Sequence, residues 1–238
     1  MSSGLYRQSG CWWLRQVLCP RFLQGTLILF LSFFSPSAWP AQGPEEQTMV
    51  TKEKEKSDIL LIPMGETRPE ILEQLALNIK KSIGKTPRVG NALMIPEEAF
   101  NRKRRQYDSA VILDRLREVP SEGGSLKLAV ADVDLFANGL NFVFGQAELG
   151  GSCAVISLVR LRPAFYGEEP DEQLFALRVL KEAVHEIGHV WSLEHCPRKT
   201  CVMRFSNSLR DTDVKSERFC ENCAKKLERE GHLPKEGS

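Results

Sequence analysis

Three of the chain's four histidines fall together, as His185-Glu186-Ile187-Gly188-His189 and then His195, with Cys196 directly after. On a helix, positions i and i+4 share one face, so His185 and His189 can present both imidazoles to a single ion. Glu186 stands one step round that helix, where its carboxylate can reach a water on the ion. His195 can complete a three-nitrogen set once the helix ends and the chain turns back. A fourth position then stays open for water and substrate, which separates catalytic from structural zinc. The bland alternative is an incidental histidine pair on a helix. The third histidine and the cysteines beyond it argue against chance.

Four of the seven cysteines follow, spaced Cys196-x4-Cys201 and Cys220-x2-Cys223. Two close pairs separated by a loop can supply a tetrahedral thiolate cage for a structural zinc. Two disulfides are the alternative if the chain is exported. With zinc, the adjacent residues His195 and Cys196 serve different ions, and the structural ion fixes the third histidine.

The set His185, Glu186, His189, His195, Cys196, Cys201, Met203, Cys220 and Cys223 resembles the archaemetzincins, zinc peptidases of the metzincin clan. Arg105-Gln-Tyr107-Asp108 and Phe142-Val-Phe-Gly145 are also similar, so the likeness runs from about Ile59 to Leu227. It implies that His185, His189 and His195 bind a catalytic zinc and that Glu186 is the general base. Met203 would be the methionine-turn residue, an apolar floor under the histidines, since a thioether suits zinc poorly among imidazoles. Cys196, Cys201, Cys220 and Cys223 would hold a second, structural zinc, making two zinc ions per chain. Metzincins also pair an edge strand with extended substrate, and the likeness places that strand at Ala154–Val159. One position departs from the family motif: Ser192 stands where it has glycine. A left-handed serine costs about 1 kcal/mol, small beside a metal's binding energy.

The elements that must position these groups alternate between strand and helix. Ile59–Ile62, Ala92–Ile95 and Leu126–Val133 read as strands. Pro69–Ser82 reads as an amphipathic helix burying Ile71, Leu72, Leu75 and Ile79, and Tyr107–Val119 as another carrying Val111, Ile112 and Leu116. A longer helix starts near Pro170-Asp171-Glu172. It buries Leu174, Leu177, Leu180, Ala183, Val184, Ile187 and Trp191 and turns a polar stripe of Arg178, Glu182, His185 and His189 toward an open cleft. The expected fold class is α/β (α+β): a metzincin-like mixed, partly parallel sheet with an active-site helix and a small C-terminal zinc-binding subdomain.

Residues 1–57 read as a leader, 58–228 as a single peptidase domain and 229–238 as a polar tail. The leader has basic Arg15 and Arg21, an apolar run Thr26–Phe34 and small residues, the pattern of a secretory signal. Its run is too short for a comfortable membrane span. Secretion or export to the periplasm is therefore expected; initiation at Met49 would instead leave a cytoplasmic protein, as suits a mostly intracellular family. Asp132 and Asp134 read as solvated turn residues, Arg102–Arg105 as a solvated basic run, and His232 as no ligand. A net charge of +1 speaks against a nucleic-acid partner. The expected function is hydrolysis of a peptide or protein substrate by a monomer. A zinc-binding protein with little peptidase activity and an interaction module built on the cysteines are the alternatives.

Overall fold

The computed structural model describes residues 59–120 and 125–234. The leader, Met49 and the final four residues lie outside the described residues. A five-stranded sheet runs in the order β2 (Arg88–Val89), β1 (Ile59–Met64), β5 (Leu126–Ala131), β8 (Cys153–Ser157) and β7 (Gly145–Ala147). Neighbours are parallel except β7, which lies antiparallel to β8 at the edge. A small second sheet joins β3 (Phe100–Asn101), β4 (Gln106–Asp108) and β6 (Leu135–Phe136). The class is mixed α/β, as expected.

Alternation along the strands divides the core in two. Leu61, Leu128, Val130 and Ile156 pack with α1 (Pro69–Ile83) and α3 (Glu172–Val190), whereas Ile62, Ala129 and Val155 pack with α2 (Ser109–Arg117). Both faces of the central strands are covered, so β5 is buried throughout, as parallel strands usually are. Even Lys127 fits: its ammonium donates to Arg117 O (3.2 Å) and Val119 O (3.0 Å), the orphan carbonyls at the end of α2. Two short helices, α4 (Leu209–Val214) and α5 (Glu221–Arg229), follow α3. Among the described residues no helix is long and apolar enough to cross a membrane.

Several expectations need correcting. Ala154–Val159 is not an edge: β8 is held between β5 and β7, and the exposed edge belongs to β7. A continuously apolar run marks a buried strand, and β7 reads Gly-Gln-Ala, too plain to stand out. Instead of a strand at Ala92–Ile95, only Leu93 bridges Met64, and β2 pairs with β1 earlier. Pro63 has no N–H to give on that side, so the ladder lapses there. The second helix begins at Ser109 because the Asp108 carboxylate caps it, accepting from Ala110 N at 2.9 Å; Tyr107 stays in β4. Leu177 is exposed, its place in the core taken by Phe175 and Val179. Asp132 and Asp134 are not merely solvated: Arg162 and Arg160 clamp them with paired hydrogen bonds.

Candidate metal centres

Helix α3 carries the first centre. The Asp171 side chain caps its start, accepting from Leu174 N at 2.9 Å, and 19 residues bring His185, Glu186 and His189 to its far end. Trp191 then leaves helical geometry and Ser192 takes φ 65°, the left-handed turn that reverses the chain and returns His195 to the helix. Serine fills the glycine position without breaking the turn. Gly150, at φ 66°, lies alongside and donates its N–H to His189 O at 3.0 Å. A Cβ on Gly150 would stand 2.9 Å from Ser192 Oγ, and at this left-handed φ an L side chain is strained in any case, so glycine suits the position.

The imidazoles are oriented by carbonyls. His185 Nδ1 is 2.7 Å from Val202 O, and His189 Nδ1 is 2.7 Å from Leu193 O. A carbonyl only accepts, so each Nδ1 carries the proton and each Nε2 keeps a lone pair. His189 Nε2 lies 3.2 Å from both His185 Nε2 and His195 Nε2. Lone pairs facing one another at that range repel unless a cation sits among them. Burial, the largest influence, holds the His185 and His189 imidazoles below their ordinary range and disfavours a proton in that role. A tetrahedral ion with bonds of about 2.0–2.1 Å needs nitrogen spacings of roughly 3.3 Å, and the donors fit.

The cysteines form the second cluster. Cys196 Sγ is 3.8 Å from Cys220 Sγ, and Cys201 Sγ is 3.8 Å from Cys223 Sγ. All four sulfurs lie within 4.8 Å of one another. A disulfide requires about 2.05 Å, whereas zinc–sulfur bonds of about 2.3 Å in a tetrahedron set the sulfurs roughly 3.8 Å apart. The four thiols are free, and their spacing fits a metal cage. At Cys220, burial works against ionisation, but hydrogen bonds from the Cys223 backbone and the neighbouring thiols bring it down to about 7. His232 belongs to neither cluster; it stacks on Trp191 at 5.2 Å.

The segment between the clusters serves both. Cys201 supplies a thiol, Val202 the carbonyl that holds His185, and Met203 a fully buried thioether beside α3. Gly188 permits this: a Cβ there would meet Met203 Sδ at 2.3 Å. Likewise a Cβ at Gly145 on β7 would stand 2.6 Å from Glu186 Oε1, so glycine at the sheet edge makes room for that carboxylate. Glu186 is only 4% exposed. Burial and the nearby Glu182 charge push its carboxyl well above the usual range, opposed by Lys215. Neither glycine has a role legible from spacing, although a glycine inside a helix, costing about 1 kcal/mol, is a signal of close packing.

The polar stripe on α3 does not open wholly onto a cleft. Arg178 grips Asp213 with two 2.7 Å hydrogen bonds, and Lys181 donates to the Thr212 and Asp213 carbonyls. Glu182 pairs with Lys215 Nζ at 2.9 Å and accepts from Thr212 Oγ1 at 3.0 Å. Lys215 is entirely buried. Three charges at helical spacing are thus covered by α4 and the turn after it, and His185, Glu186 and His189 face the cleft beyond. That cleft, of about 800 Å³, runs between β7, the loop before it and the His195–Asn207 stretch.

The sequence profile of Peptidase family M54 matches residues 70–229. An archaemetzincin from Methanocaldococcus jannaschii is 46% identical over 176 residues, covering 73% of this chain and 94% of that protein. One from Pyrococcus furiosus is 44% identical over 176 residues, with 71% and 92% covered. The crystal structure of an archaemetzincin from Archaeoglobus fulgidus is similar with a TM-score of 0.62 and 42% identity, covering 71% of this chain and 99% of that one. That of Methanopyrus kandleri gives a TM-score of 0.65 at 36% identity, with 74% and 96% covered. With its two clusters of candidate metal ligands, the chain belongs to peptidase family M54 and is a zinc metallopeptidase of the archaemetzincin type.

Proposed function

We propose that the chain hydrolyses peptide bonds at a zinc held by His185, His189 and His195, with Glu186 as general base. Cys196, Cys201, Cys220 and Cys223 hold a second zinc whose role is structural. The observation that carries this is the convergence of three Nε2 atoms, two of them with lone pairs fixed by Nδ1–carbonyl contacts, beside a buried carboxylate on a cleft wall. Bound zinc supplies Lewis acidity, polarising a carbonyl and making water easier to deprotonate.

The rest falls to the chain's own groups. Glu186 accepts a proton from the attacking water and returns it to the leaving amine. Its confinement against Gly145 fixes where that proton is taken. The carbonyls of Val202 and Leu193 keep the histidines in one tautomer and orientation, as outer-shell partners of metal ligands do. The free edge of β7 lies beside the cleft, where an extended peptide can add as a further antiparallel strand. Met203 is the floor beneath α3. Peptide-library cleavage by wild type and Glu186→Ala tests the assignment. The variant is expected to keep two zinc ions and lose turnover; full activity in it, or one zinc per wild-type chain, rejects the corresponding part.

A further inference from the structure

The cleft has a one-sided chemistry. Its ionisable lining residues besides the histidines are Glu182, Glu186 and Glu194, and no lysine or arginine lines it among the described residues. Much of the remaining wall is apolar: Leu140, Phe142, Phe144, Leu149 and Phe205. Leu140, Leu149 and Phe205 are more than two-fifths exposed, which is costly for large apolar side chains unless something binds there. Phe205 stands over His195, ring centroids 4.9 Å apart, so apolar surface reaches the metal centre itself.

Phe142 is the most firmly placed part of this wall. Arg160 lies between two rings, its guanidinium carbon 4.3 Å from the Phe142 centroid and 4.9 Å from that of Phe165. Asp134 holds the same guanidinium through Nε and Nη2 at 2.6 and 2.8 Å. Behind the loop, Gln106 donates to Asn141 O, and Arg104 to both Leu140 O and Asn141 O. On its other side Phe142 meets Phe144 edge-on at 5.2 Å. A loop of plain packing needs no such clamp. The stack presents a rigid aromatic wall to whatever enters.

We propose that this cleft selects peptides with a bulky apolar side chain beside the scissile bond, Phe142 being the selecting wall and Arg160 the residue that positions it. The inference rests on the peptidase reading above and adds its substrate class. Carboxylate side chains are disfavoured at this wall, because it is apolar and no lysine or arginine lines it among the described residues.

Binding separates this from catalysis. Zinc-loaded Glu186→Gln protein is titrated with fluorescent peptides differing at one position: phenylalanine, leucine, glycine or aspartate. The phenylalanine and leucine peptides are expected to bind about tenfold more tightly than glycine, with aspartate weakest. Phe142→Ala, added to that background, brings the phenylalanine-to-glycine ratio close to one. Arg160→Lys keeps a cation for Asp134 but loses the planar stack, and lowers the same ratio while zinc content stays unchanged. A ratio unmoved in both variants, or aspartate bound as well as phenylalanine, overturns the proposal. Turnover by the unsubstituted chain is read separately. Discrimination without cleavage rejects the peptidase reading and keeps this one; cleavage without apolar preference does the reverse.

Discussion

Replacing Gly188 by alanine sets two opposed effects against each other. Alanine favours a helix over glycine by about 1 kcal/mol, so propensity alone predicts a more stable protein. The new methyl, however, would stand 2.3 Å from Met203 Sδ and 3.0 Å from Phe219 Cε1. Ordinary carbon–sulfur contact needs well over an ångström more, and Met203 is fully buried with nowhere open to go. Overpacking of this kind costs about 1–3 kcal/mol, and the fixed surroundings favour the upper end. Gly188→Ala is therefore expected to lose roughly 1–2 kcal/mol net, lowering Tm by about 2–8 °C for a domain of this size. Zinc-loaded wild type and variant are compared by thermal and denaturant unfolding, with metal content measured in parallel. Met203→Ala alone should cost about 2–5 kcal/mol through its cavity. Combined with Gly188→Ala, the new methyl fills part of that space, giving a favourable coupling of about 1–2 kcal/mol. A rise in Tm for Gly188→Ala, or additivity of the pair within about 0.5 kcal/mol, would refute the packing account.

Gly145→Ala pushes a methyl into the Glu186 carboxylate and is expected to cut kcat/KM by about 100-fold with zinc content retained; unaltered kcat/KM counts against the confinement of Glu186. Ser192→Gly relieves a left-handed serine and should raise stability by roughly 0.5–1 kcal/mol in denaturant unfolding, with a loss contradicting the strain argument. Lys215→Met leaves the buried Glu182 without its cation and should cost about 3–5 kcal/mol. Adding Glu182→Gln should recover part of it, and no recovery would show that the pair acts independently.

Much of the site was legible because its chemistry is local in sequence. His185, Glu186 and His189 need only a helix, and His195 only a turn, so spacing sufficed. The cysteines left disulfides open, since spacing fixes proximity but not sulfur–sulfur distance; separations of 3.8 Å are too long for a disulfide and fit a metal cage. What failed was long-range. No pattern near α3 shows that Asp213 and Lys215 will cover Arg178 and Glu182, because the partners are about thirty residues away. The edge strand was misplaced for a related reason. Periodicity finds strands by apolar content, and β7 carries little, yet its lack of bulk is what admits Glu186. The two glycines act through side chains they do not have, so their importance appears only when the space around them is known.

Cys201-Val202-Met203 ties the two candidate metal clusters together more closely than the His195–Cys196 junction alone. One tripeptide donates a thiol to one centre and a carbonyl and a floor to the other. Under the proposed function, the hydrolytic centre inherits the vulnerabilities of a thiolate site. Soft, thiol-seeking ions such as cadmium, poor partners for an imidazole set, can act on His185 from a distance by displacing the cage and shifting its tripeptide. Toxic-metal exposure would then silence the enzyme without entering its cleft, and loss of histidine-bound zinc during cadmium titration measures that susceptibility.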